Sequence, residues 1–150
     1  RIPSLLLMEN AAHAAARVIC EKLGGSVKGK SVLVLCGKGN NGGDGAALAR
    51  ILWTLGMHTS IEFFDKIEDS KGNARENFEI IKKLPQRHSG HPKDRIFYYE
   101  LNENQAENWA NTTGFELYQF DILIDAVFGT GVSRPLGEKF RFLNDIRSIK

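Results

Sequence analysis

Apolar residues recur at helical spacing over residues 4–23: Leu5, Met8, Ala12, Ala15, Ala16 and Ile19. Ser4 is a suitable N-cap and Gly24-Gly25 ends the run. Residues 31–36 break the pattern with a near-continuous apolar run, Ser-Val-Leu-Val-Leu-Cys. Such a run predicts a strand buried on both faces, as in a parallel sheet. The two patterns then alternate. A glycine-rich loop over 37–45 leads into a helix over 46–55, stopped by Gly56, and then a strand over 58–64. An amphipathic helix over 70–84 turns Ala74, Phe78, Ile81 and Leu84 to one side, and Pro85 stops it. Residues 95–101 predict a strand, 102–111 a short helix and 120–128 a further buried strand. A second glycine-rich loop spans 129–137, and a helix over 139–149 directs Phe140, Leu143 and Ile146 or Ile149 inward. This alternation predicts an α/β fold, a doubly wound and mostly parallel sheet with helices on both faces, in three α/β/α layers of Rossmann-like type. The chain stops just after a helix, where another buried strand is expected.

Length and composition narrow the class. At 150 residues the chain suits one domain. Its 42% hydrophobic and 25% charged residues are ordinary globular usage, which excludes a disordered tail or a coiled-coil rod. A formal charge of +2 is too even to argue for nucleic acid or an acidic membrane surface as partner. Cys20 and Cys36 both sit in apolar stretches and read as small buried residues, which favours a reducing compartment. No apolar run reaches the ~18–20 residues of a membrane span, and Leu5-Leu6-Leu7-Met8 is too short for a signal peptide. A cytoplasmic location is expected, or an organelle where a targeting segment preceded Arg1.

The chemistry concentrates in the two glycine-rich loops. Gly37, Gly39 and Gly42 form G-x-G-x-x-G between a strand and a helix, the context in which that pattern binds nucleotides. Glycines let backbone approach a ligand, and the N–H groups of a helix start attract anions. The loop departs from the dinucleotide fingerprint, because Asn40, Asn41 and Asp44 crowd it. Their oxygens and amide donors suit hydroxyls, ribose, a carboxamide or a hard monovalent cation. Glu62 or Asp65, near the end of the second strand, could take the usual ribose position. Asp121 reads as a solvated or capping residue. Asp125 lies within an apolar run, and a lone buried carboxylate is costly unless paired or bound to a cation. Gly129, Thr130 and Gly131 add backbone donors, and Arg134 could clamp a phosphate. Glu9-Asn10 is either a solvated first turn or part of a site lining.

Three stretches carry a family resemblance: residues 5–12, L-L-L-M-E-N-A-A; residues 39–45, G-N-N-G-G-D-G; and residues 125–131, D-A-V-F-G-T-G. Together they resemble the YjeF N-terminal domain family, whose best-understood members are NAD(P)HX epimerases. Those enzymes interconvert the R and S forms of hydrated NADH and NADPH, damaged cofactors that a dehydratase restores. The resemblance implies that Asn40, Asn41, Gly42, Gly43 and Asp44 contact the damaged nucleotide. It implies the same for Gly129, Thr130, Gly131, Val132, Ser133, Arg134 and Pro135. It also implies a potassium ion held by Asn41 and Asp125. The family carries a further strand ending in V-D-I-P-S-G, which nothing in this chain matches, and Asp44 is the remaining catalytic candidate.

The resulting expectation is one YjeF N-terminal-like domain, incomplete at its C-terminus and open to a following kinase-like dehydratase domain. It is an isomerase acting on NAD(P)HX as substrate, with a homodimer and an NAD(P)HX dehydratase as candidate partners and no nucleic acid or membrane. A catalytically silent nucleotide-binding or scaffold module of the same fold is the alternative, and an NAD-dependent dehydrogenase is a weaker one.

Overall fold

The structure is a computed structural model that describes residues 2–84, 96–109 and 114–130, with Gly137, Phe140 and Leu143. Helix α1 runs Ser4–Lys22, with Met8, Ala12 and Ala16 buried one turn apart. Pro3, not Ser4, precedes its first turn as N-cap. The Ser4 hydroxyl instead accepts a hydrogen bond from Asn73 Nδ2 at 2.6 Å, a contact of high sequence separation that no local cap signal reveals. Strand β1 (Ser31–Cys36) is buried from Val32 onward, as its apolar run requires. Helix α2 (Asn40–Thr54), strand β2 (His58–Phe63), helix α3 (Gly72–Lys83), strand β3 (Ile96–Glu100), helix α4 (Glu103–Glu107) and strand β4 (Ile122–Ala126) follow. The α3 face is the expected one, with Ala74, Phe78 and Ile81 buried and Leu84 half-buried just beyond it.

The four strands form a parallel sheet in the order β3-β2-β1-β4. Alternate residues of β1 feed opposite cores. Val32, Val34 and Cys36 pack with buried residues of α1, α2 and α3, while Leu33 and Leu35 pack with Phe64, Trp109, Val127, Phe140 and Leu143. This is the three-layer α/β/α arrangement that the sequence pattern predicts. Each fully buried Leu, Ile or Phe adds about 1.5–3 kcal/mol, so the centre of the sheet is its most stable part. Phe140 and Leu143 are buried as expected of an inward helix face; the rest of 139–149 lies outside the described residues.

Two expectations change. Helix α2 begins at Asn40, so residues 40–45 are its first turns and not a loop. Strand β4 is not buried on both faces: Ile122, Leu123 and Ile124 are half-buried and Asp125 is exposed. Among the described residues β4 pairs only with β1 and forms an edge of the sheet, which explains the difference. The amino edge is clamped by Asp121, whose Oδ2 accepts from Ser31 N at 2.7 Å and Ser31 Oγ at 3.0 Å. These bonds hold the Asp121 carboxyl below the usual range and bear out its reading as a capping residue.

Candidate functional site

The carboxyl ends of β1 and β4 are neighbours, with Leu35 opposite Asp125 and Cys36 opposite Ala126. From β1 the chain passes through α2 to β2 on one side, while β4 lies on the other. This is a topological switch point, where open α/β sheets bind ligands. Gly37 N donates to Ala126 O at 3.2 Å, tying the two strand ends together. Gly39 then takes an extended conformation and caps α2, whose first N–H groups have no intrahelical acceptor and face this edge.

The glycines of α2 serve packing. Gly42, Gly43 and Gly45 are all buried. A Cβ on Gly42 would overlap the Gly37 carbonyl oxygen. One on Gly43 would lie 2.7 Å from Ala74 Cα, and one on Gly45 would lie 2.5 Å from Ala126 Cβ. These residues therefore let α2 sit close to β1, β4 and α3, and ligand approach is not what requires them. Gly39 differs: nothing lies within 4 Å of its Cβ position.

Asn41 joins the two glycine-rich segments. Its Nδ2 donates to Phe128 O at 2.9 Å, linking α2 to the turn after β4. That bond turns its Oδ1 away from the carbonyl, toward the Gly129 side. Asp125 Oδ1 accepts from Val127 N at 3.1 Å, which shapes the same turn. The burial argument for a cation at Asp125 is thus overturned, because the side chain is exposed and hydrogen-bonded locally. Gly129 and Thr130 are exposed beside it. Asp44 lies half-buried in the second turn of α2, and burial pushes its carboxyl above the ordinary value. Asn40 is exposed at the first position of α2. Gly131, Val132, Ser133, Arg134 and Pro135 lie outside the described residues.

Other candidates are used structurally. Glu62 is within β2 and buried, and its Oε2 accepts from the Trp109 indole, so it cannot take a ribose from solvent. Asp65 does follow β2 and borders a cavity at the carboxyl ends of β2 and β3. Glu9 is ion-paired with Arg50 of α2, which makes it a helix–helix tie. Cys36 is buried and Cys20 half-buried, and both are free thiols. Burial pushes the Cys36 thiol far up, so it stays protonated and unreactive. Sequence reasoning missed the Phe128 carbonyl, because a backbone acceptor leaves no mark in residue type.

Comparison with known proteins agrees with this fold. Residues 4–149 match the family described as YjeF-related protein N-terminus. The bifunctional NAD(P)H-hydrate repair enzyme Nnr of Moorella thermoacetica is 35% identical over 130 residues, covering 87% of this chain and 22% of that protein. The NAD(P)H-hydrate epimerase of Weissella koreensis is 33% identical over 147 residues, covering 95% of this chain and 55% of that one. The crystal structure of yeast ynu0 superposes with a TM-score of 0.68 at 24% identity, over 97% of this chain and 55% of that chain, and so supports the fold. The chain spans about half the length of that epimerase and under a quarter of the bifunctional enzyme. Among the described residues no helix is long and apolar enough to cross a membrane. With a match running almost from end to end and a parallel sheet that carries the motif at its switch point, the chain belongs to the YjeF-related protein N-terminus family.

Proposed function

We propose that this protein is an NAD(P)H-hydrate epimerase, with its site at the carboxyl ends of β1 and β4. The carrying observation is the Asn41–Phe128 hydrogen bond, which couples the N-N-G-G-D helix start to the turn after β4 beside a half-buried acid. Relatives bearing that name at 30% and 33% identity support the same reading.

The reaction inverts one ring carbon that carries a hydroxyl next to nitrogen. The nitrogen lone pair expels the hydroxyl as water once the oxygen accepts a proton. Water returns to the other face and releases a proton. One group that gives and then retakes that proton serves both steps. Asp44 is the candidate, since its raised carboxyl carries a proton more readily than an exposed aspartate. Asn40 and the N–H groups of Asn41 and Gly42 would hold the nucleotide, with the pyrophosphate over the α2 N-terminus, since the Gly43 N–H already donates to Gly39 O. Residues 129–135 would cover its other side.

A potassium ion fits the donors available. Asn41 Oδ1 is left over once Nδ2 binds Phe128 O, and Asp125 Oδ2 once Oδ1 takes Val127 N. Both are hard oxygens, suited to a cation of this kind. The ion would supply a fixed positive charge beside the bound nucleotide. Mixing pure R-NADHX with the full-length protein and following the S form against the spontaneous rate tests the proposal. Acceleration in potassium that falls in lithium is expected. No acceleration in either salt would favour the catalytically silent module.

A further inference from the structure

The same edge of the sheet also holds a concave region. At the carboxyl ends of β2 and β3 lies a cavity of about 740 Å³, within the size range of small-molecule sites. Leu101, which directly follows β3, gives it apolar surface over the buried Phe64, which directly follows β2, and Asp65 and Asn102 border it next to them. Helix α4 adds Glu103 and Glu107, one turn apart on one helix face. The start of α4 is fixed by reciprocal bonds between Asn102 and Gln105, at 2.9 and 3.1 Å.

Resting on the epimerase reading, we infer that this cavity receives the adenosine half of the substrate and selects NADHX over NADPHX. The strand order forces the direction. β4 and β2 flank β1 on opposite sides. A dinucleotide with its reacting ring toward β4 and its pyrophosphate at the start of α2 must send its other half toward β2. The apolar surface of Leu101, backed by the buried Phe64, suits a base, and Asp65 and Asn102 suit ribose hydroxyls. The charges then decide between the two substrates. Among the described residues, Asp65, Asp69, Glu103 and Glu107 border the cavity together with one cation, Lys66. A 2′-phosphate adds ~1.5–2 negative charges at neutral pH, where the unphosphorylated ribose adds none. Sites that take such a phosphate supply an arginine, and none borders this cavity among the described residues.

The test uses the full-length protein with ADP-ribose and 2′-phospho-ADP-ribose as probes, in calorimetric titrations at low and physiological salt. Binding of ADP-ribose tighter by about tenfold is expected, a gap that narrows as salt screens the carboxylates. The exposed pair Glu103→Lys and Glu107→Lys should bring the ratio near one. R-NADHX should show the same preference over R-NADPHX in initial rates. Equal affinity for the two probes, a ratio unmoved by the charge reversals, or no binding of either probe would overturn the inference. If the ADP-ribose preference is present but neither hydrate is epimerised, the cavity assignment stands and the epimerase reading fails.

Discussion

The two glycine-rich segments meet at one edge of the sheet, yet their glycines do opposite things. In the first turns of α2, the space a side chain would fill at Gly42, Gly43 and Gly45 is already occupied by protein. In the turn after β4, a Cβ on Gly129 would touch Asn41 Cβ at 3.5 Å, an ordinary contact. The first segment is a packing joint that brings a helix start close to β1. The second is an open rim. Asn41 spans them through its bond to Phe128 O, so precision in the joint is passed to the rim. A run of glycines therefore does not by itself say where a ligand lies.

Substitution at the two segments tests that contrast, and its largest effect is expected at the joint. Gly42→Ala should lower stability by about 3 kcal/mol or more, because the neighbour is backbone and cannot swing aside. Gly129→Ala should stay within about 0.5 kcal/mol. Denaturant midpoints of the two variants measure the difference, and equal losses would break the comparison. Gly42 variants consequently report on folding before they report on ligand binding.

A smaller effect separates the two edges of the sheet. Asp121 at the amino edge is held below the ordinary carboxyl value by its bonds from Ser31. Its contribution is fully present above the unfolded value of 3.8 and is lost as pH falls through the lowered native one. Asp44 at the carboxyl edge is raised by burial. Its ionisation therefore disfavours the folded state as pH rises from 3.8 through the raised native value. Asp121→Ala should destabilise at neutral pH and match the parent in acid. Asp44→Asn should be at least as stable as the parent at neutral pH. Thermal melts between pH 3 and 7 would show the opposite signs, and parallel curves for both variants would contradict the assignment.

Much of the fold was legible because burial on both faces leaves an unbroken apolar run, as in Ser31–Cys36, and a half-buried helix leaves a stripe, as in Ala74, Phe78 and Ile81. Three features were not. The sequence pattern puts the start of α2 six residues late, since Asn and Gly favour turns locally and only packing against Gly37 and Ala74 makes them helical here. Asp125 read as buried because its neighbours are apolar, but an edge strand leaves it in solvent. Glu62 read as available because a strand-end acid and a buried indole acceptor look alike until Trp109, 47 residues away, is brought to it. The motif residues were visible as types, while the bond that organises them ends on a backbone carbonyl.

The most direct test of the account is the conversion of R-NADHX to its S form by the Asp44→Asn variant of the full-length protein. The amide keeps the size of the side chain and removes its capacity to give and take a proton. The account predicts a rate lower by about a hundredfold to ten-thousandfold, with ADP-ribose binding retained and stability at neutral pH no lower than the parent's. A folded variant that epimerises R-NADHX at the parent rate would contradict it.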